Sequence, residues 1–142
     1  MGNRAVITTK ENFENNGVGV YLHWDGSRDF VEGLLAYCDA KKFRNPEDDC
    51  YGFAYMTTIL GNMLGDGLSL GVDRVDRLDC DNWDNGVYII EDWSIVDRKF
   101  MHHPELSGTY TVENVVEYLD ERQPEQLKLT EDEWKYIRDT YG

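Results

Sequence analysis

The spacing of apolar residues changes along this chain, and that change is the strongest constraint on its fold. In residues 17–24 the apolar residues alternate, which is typical of a strand with one buried face. In residues 28–43 they recur every three or four positions after Ser27, the predicted N-cap, which is typical of an amphipathic helix. The helical stripe contains Phe30, Val31, Leu34, Leu35 and Cys38. The chain therefore mixes strands and helices.

Similar patterns extend to the rest of the sequence. Further strands are predicted over residues 4–8, 68–72, 87–90 and 93–100. Further helices are predicted over residues 45–64, after Thr111 and after Thr130, where Glu133 completes a capping box. Residues 11–16 are predicted to form a turn-rich loop, and residues 65–67 to stop a helix. Together these elements predict a single α+β domain over residues 1–142, with an antiparallel sheet of about four to five strands and about four helices.

The charge of the chain limits what it can approach. Twenty-eight Asp and Glu residues against fourteen Lys and Arg residues give a formal charge of −14. This charge repels nucleic-acid phosphates and attracts basic protein surfaces or cations. The aromatic content of 13% indicates a folded rather than a disordered acidic chain.

The sequence also bears on location. No apolar run approaches the roughly 20 residues that span a bilayer, and the first residues lack the apolar region of a signal peptide. Three cysteines without a CxxC pair are compatible with reduced thiols. We therefore expect a soluble, cytoplasmic protein with no membrane partner.

The densest acidic segment is residues 78–88, in which aromatic residues lie beside carboxylates. A calcium loop of the EF-hand type is not favoured, because Trp83 stands at the fifth position and Ile90 at the twelfth. A generic cation site stays open, although solvated turn acids are favoured over it. The segment is also a candidate surface for a basic partner, with aromatic anchors at its centre, and the alternative is an acidic surface that serves solubility alone. The predicted partner-binding residues are Asp79, Asp81, Trp83, Asp84, Glu91 and Asp92.

A second candidate site is a zinc site with His23, Cys50 and Cys80 as ligands. None of these residues has diagnostic spacing, and the alternative is that each is an ordinary structural side chain. Catalytic motifs such as GxSxG, a Walker loop or HExxH do not occur. A nucleophilic Cys80 paired with His23 is disfavoured by the flanking Asp79 and Asp81. We therefore expect a protein that is not an enzyme.

Four segments carry a resemblance to a known group of proteins. They are residues 2–8 (GNRAVIT), 20–26 (VYLHWDG), 68–73 (LSLGVD) and 78–88 (LDCDNWDNGVY). In their order they resemble a family of small proteins carried by phages, prophages and plasmids, mostly of unknown activity. In setting, size and charge the chain also resembles streptococcal anti-CRISPR proteins directed against type II RNA-guided nucleases, some of which bind zinc.

This resemblance implies an anti-defence inhibitor that binds a basic nucleic-acid-handling effector, most of all the type II CRISPR nuclease, and impedes DNA loading. Such nucleases hold nucleic acid in a positively charged channel. An acidic domain is complementary in charge to that channel and could bind in it or beside it. Two alternatives stay open: a small metal-dependent hydrolase or metal-binding regulator, and a housekeeping protein of the mobile element.

Overall fold

A computed structural model of the protein describes residues 2–64, 69–105 and 108–142. The described chain contains five strands: β1 (Ala5–Thr8), β2 (Val18–Leu22), β3 (Leu70–Arg74), β4 (Val87–Glu91) and β5 (Ser94–Lys99). Its α-helices are α1 (Lys10–Glu14), α2 (Arg28–Ala40), α3 (Cys50–Leu64), α4 (Val112–Glu121) and α5 (Glu131–Tyr141). The predicted α+β class is confirmed. The predicted helix stop at residues 65–67 lies outside the described residues.

The strands form one sheet in the order β3-β2-β1-β4-β5. Neighbouring strands are antiparallel except β1 and β4, which run parallel in the centre. The sheet is therefore mixed, with one parallel pair inside the predicted antiparallel arrangement. A parallel pair needs a long crossover connection, and here α2, α3 and two further strands lie between β1 and β4 in the sequence.

Helices α2, α3, α4 and α5 cover one face of the sheet and bury the main core. Because successive side chains of a strand point to opposite faces, Ala5 and Ile7 of β1 join this core while Val6 points to the other face. On that other face, which we call the back face, Val6 packs with Val87 and Ile89. The back face is covered by Phe13 of α1 and by Tyr21, Leu78 and Cys80.

Residues 11–16 do not form the predicted loop, because most of them belong to α1. Thr9 is the N-cap, and its hydroxyl accepts a hydrogen bond from the Asn12 amide at 3.2 Å. Phe13 then packs on the back face, which gives this short helix a tertiary contact. The cap and this single apolar contact outweigh the loop preference of the surrounding asparagines.

Two other helix starts differ in detail from the prediction. Helix α3 begins at Cys50 rather than at Asn45, and the carbonyl of Asn45 accepts hydrogen bonds from the amides of Asp48 and Asp49 in the turn before it. Ser27 is the N-cap residue of α2, as predicted, but its side chain makes no capping bond. Its hydroxyl instead donates to Asp29 at 2.6 Å.

Strands β4 and β5 are joined by a two-residue hairpin turn at Asp92 and Trp93, where Glu91 pairs with Ser94. Both turn residues have positive φ, 51° and 56°, as a type I′ turn requires. Trp93 is only 3% exposed, and its indole N–H donates to the carbonyl of Phe43 at 3.0 Å. Tertiary packing of Trp93 thus holds a bulky residue in a backbone conformation that such residues rarely adopt.

Candidate interaction surface

One buried side chain organises the acidic loop of residues 78–85. Asn82 is 2% exposed. Its Oδ1 accepts hydrogen bonds from the amides of Asp84, Asn85 and Gly86 at 3.0, 3.2 and 3.0 Å. Its Nδ2 donates to the carbonyls of Asp79 and Gly86 at 2.9 and 3.2 Å. A single asparagine therefore satisfies five backbone groups and fixes the path of the loop.

Arg4 ties the same loop to the start of β1. Its Nε lies 2.7 Å and its backbone amide 3.0 Å from Oδ2 of Asp84, and its Nη1 lies 3.5 Å from Oδ2 of Asp79. The Arg4 side-chain hydrogen bond holds the pKa of Asp84 below its ordinary value of 3.8, against the opposing effect of partial burial. Only 26% of the Asp84 side chain is exposed. Asp84 therefore positions the loop, and its predicted contact with a partner stays a prediction.

Replacing Asp84 with asparagine is expected to lower the free energy of unfolding by about 1 kcal/mol at neutral pH. Because the folded-state pKa of Asp84 is depressed, its stabilisation is present above the unfolded pKa and is lost as the pH falls through the folded pKa. The difference between the two proteins should therefore shrink below about pH 4. Urea unfolding at several pH values measures it.

The control for this experiment is Glu117→Gln, which removes an exposed carboxylate that has no ion pair among the described residues. This variant should change the free energy of unfolding by less than about 0.5 kcal/mol at any pH. A difference for Asp84→Asn that persists or grows in acid would contradict the role assigned to the Arg4–Asp84 pair.

Trp83 stands out from the organised loop, with 65% of its surface exposed. Its backbone has a φ of 63°, which an unconstrained tryptophan rarely adopts. Its indole stacks on the ring of His102, with the ring centroids 3.8 Å apart and the planes 17° apart. The exposed Asp81 carboxylate contacts Nε2 of the same His102. An exposed aromatic side chain is thus held by stacking on His102, in the same loop as the exposed carboxylates of Asp79 and Asp81.

The other two predicted contact residues lie elsewhere. Glu91 ends β4 and Asp92 begins the hairpin turn, and both are exposed. The Asp92 amide donates to Glu47 at 2.9 Å. Since β4 separates this turn from the loop of residues 78–85, the two groups are on the order of 15 Å apart. The six predicted residues therefore form two surfaces rather than one.

The structure places the three candidate zinc ligands on separate elements. Nδ1 of His23, just after β2, lies 2.9 Å from the hydroxyl of Tyr21. Cys50 is exposed at the start of α3, while Cys80 packs on the back face. Among the described residues, no group of three or more His, Cys, Asp or Glu side chains is arranged to hold a metal ion. The zinc site stays a prediction without a geometry to support it.

Cys80 is in a poor environment for a nucleophile. Its Sγ lies 3.4 Å from the carbonyl of Val75. Burial first, and the Asp79 carboxylate second, raise the pKa of Cys80 above its ordinary value. The neutral thiol is therefore favoured at physiological pH.

Sequence reasoning identified the acidic loop but missed the two residues that shape it. Asn82 carries a weak signal, since asparagine in a loop commonly bonds to nearby backbone groups. Arg4 carries none, because its partner Asp84 is 80 positions away in the sequence. Sequence patterns report local periodicity and do not report such a pairing.

Comparisons of this chain with protein-family models, with curated proteins and with solved structures find no match. The resemblance of its four segments to proteins of mobile elements therefore stays a prediction. None of the helices within residues 2–64, 69–105 and 108–142 is both long and apolar enough to cross a membrane.

Proposed function

We propose that this protein is a non-enzymatic inhibitor from a mobile genetic element. It acts in the cytoplasm of a bacterial host, where it binds the basic nucleic-acid-binding surface of a defence enzyme and impedes DNA loading. The type II RNA-guided CRISPR nuclease is the favoured target. One observation carries the proposal: the loop of residues 78–85 presents the exposed Trp83 together with the exposed carboxylates of Asp79 and Asp81.

This arrangement has the properties of a protein-binding surface. Tryptophan is enriched among the residues that dominate binding energy at interfaces. Because Asn82 and Arg4 fix the loop in advance, less conformational entropy is lost on binding. Asp79 and Asp81 would face basic residues of the partner, which accelerates association and favours the correct orientation.

The overall charge supports a basic protein as the partner. At −14 the chain is repelled by DNA and RNA themselves. A nuclease that binds nucleic acid in a positively charged channel offers the complementary surface. An acidic protein bound at that channel would compete with DNA for the same lysine and arginine side chains.

The test is binding to a purified type II nuclease with its guide RNA, with DNA cleavage measured in parallel. Full inhibition is expected at about one inhibitor per nuclease. The affinity is expected to fall at least about tenfold between about 0.05 M and 0.5 M salt, because the attraction lies between screened charges. The variant Trp83→Asn should weaken binding at least about tenfold, and asparagine tolerates the positive φ at this position.

The matched control neutralises two acids elsewhere, with Glu117→Gln and Glu125→Gln, for comparison with Asp79→Asn and Asp81→Asn. All four residues are exposed, so the change in net charge and the type of substitution are equal. Only the loop variants should lose affinity by more than the general charge effect. Salt-independent binding, or full inhibition by the doubly neutralised loop, would refute the proposal. Inhibition far below one inhibitor per nuclease would identify an enzyme instead.

A further inference from the structure

A groove of about 640 Å³ opens on the back face, and residues 78–81 of the acidic loop form part of its lining. We call it the back-face groove. Its apolar walls are Phe13, Val75, Leu78, Cys80 and Phe100. Its acidic residues are Glu14, Asp76, Asp79 and Asp81, and no basic residue is among those that line it. Asn16 completes the lining.

The charge of the groove is one-sided although basic residues lie nearby. Lys10 is 3.8 Å from Glu14, and Arg74 is 3.7 Å from Asp76. These pairs are long and largely exposed, so each contributes little and is easily exchanged for a pair with a partner. Asp79 is also paired with Arg4 and Asp81 with His102, so Glu14 and Asp76 are the carboxylates most readily available to cationic side chains that enter the groove.

The apolar wall at Phe100 is maintained in an unfavourable backbone conformation. Phe100 has a φ of 58° and is 44% exposed. Its ring meets Phe13 edge to face, with centroids 6.5 Å apart. A bulky residue at positive φ is strained, and nearly half of this side chain stays in water, so Phe100 contributes little to the stability of the fold. An apolar group bound in the groove would use this exposed surface.

We infer that the back-face groove receives a basic segment of the protein partner, with lysine or arginine on the acidic rim and an apolar side chain against Phe13 and Phe100. This inference rests on the proposed function, because it names the chemistry that the same partner presents beside Trp83. Lysine and arginine side chains can bind in this groove, because their aliphatic stems pack on the apolar walls while their charged ends reach the acidic rim. A second copy of this chain is a poor occupant, because each copy has a charge of −14.

The first experiment compares three purified variants for binding to the nuclease–guide complex. The groove variant carries Glu14→Lys and Asp76→Lys, which change rim residues outside the loop of residues 78–85. The loop variant is Trp83→Asn. The control carries Glu117→Lys and Glu125→Lys, which make the same change in net charge away from the groove. The groove variant should bind at least about tenfold more weakly than the control at low salt.

The second experiment uses a synthetic peptide that alternates lysine with leucine, and Cys80 as the reporter. In a Cys50→Ser background the exposed thiol is removed and Cys38 is fully buried, so a thiol reagent reports on Cys80. At a peptide concentration of about ten times its Kd, modification of Cys80 should slow by about tenfold. A peptide that alternates glutamate with leucine is the negative control.

The outcomes separate the inference from the proposed function. If the loop variant loses nuclease binding while the groove variant equals the control, and the lysine peptide leaves Cys80 unprotected, the groove inference is wrong and the proposed function stands. If the peptide protects Cys80 and the protein does not bind the nuclease, the groove recognises basic segments of another partner and the proposed target is wrong. Equal protection by both peptides would overturn the charge basis of the inference.

Discussion

Replacing Asn82 with alanine is expected to lower the free energy of unfolding by about 2–4 kcal/mol. The substitution removes five hydrogen bonds at once, and the buried amide of Gly86 loses its acceptor. An unsatisfied buried donor retains its full desolvation penalty, so this loss exceeds that of an ordinary exposed polar residue. Urea unfolding followed by circular dichroism measures the change.

Asn15→Ala is the matched control for Asn82→Ala. Asn15 is exposed, and its side chain makes one hydrogen bond, to the carbonyl of Glu11 at 3.1 Å. Its replacement should cost less than about 0.5 kcal/mol. Equal losses for the two variants would mean that Asn82 is not the organiser of the loop. Hydrogen exchange at Asp84, Asn85 and Gly86 should accelerate in Asn82→Ala alone.

Replacing Gly33 with alanine is expected to destabilise the protein by about 1–3 kcal/mol although alanine is the better helix former. Gly33 lies within α2, and a Cβ added there would lie 2.3 Å from Cγ1 and 2.4 Å from Cβ of Val115 in α4. Real carbon atoms do not approach so closely, so the two helices must separate. The clash is with a β-branched side chain near its own backbone, which cannot rotate away.

Gly61→Ala provides an internal control with the opposite expected sign. Gly61 lies within α3, and a Cβ added there meets no atom within 4 Å. The variant should gain about 0.5–1 kcal/mol, because alanine reduces the entropy of the unfolded chain and no contact is disturbed. Thermal unfolding of both variants measures the contrast. A stabilised Gly33→Ala protein would show that α2 and α4 do not pack as described.

The elements that the sequence predicted best are those whose signals are local. Thr111 and Thr130 both cap helices as expected, and their hydroxyls accept hydrogen bonds from Asn114 and Glu133 at 3.0 and 3.2 Å. In α5, Ile137 is buried with Trp134 and Tyr141 packed beside it, which is the three-to-four-residue spacing of one helix face. Caps and helical spacing act within a few residues, so they can be recognised without knowledge of tertiary packing.

The features that the sequence did not reveal depend on distant contacts. Helix α1 gains its packing from Phe13 on the back face, which no local pattern shows. The parallel neighbours β1 and β4 are far apart in the chain, and strand periodicity carries no information about which strands pair. Trp93 was predicted to start β5, but its packing on the core places it in the hairpin turn instead.

The six predicted contact residues form two surfaces because their positions also depend on the tertiary structure. Asp79, Asp81 and Trp83 are near Glu91 and Asp92 in sequence, and composition alone joins them into one acidic segment. An extended strand rises about 3.3 Å per residue, so these two groups of residues lie at the two ends of β4. The back-face groove could not be predicted from the sequence, because the segments that line it are far apart in the chain. They are α1, residues 75–81 and Phe100.

Because Trp83 is exposed and Trp93 is buried, intrinsic tryptophan fluorescence can report separately on the loop and on the core. Trp83 is 65% exposed, so a quencher dissolved in water reaches its indole, whereas Trp93 at 3% is shielded. Emission from Trp93 should therefore follow loss of the core, and emission from Trp83 should follow coverage of the loop. Trp24 and Trp134 emit as well, so each signal is assigned as the difference between the spectrum of the protein and that of its Trp83→Asn or Trp93→Phe variant. Partner binding and unfolding can then be distinguished in one sample without an attached dye.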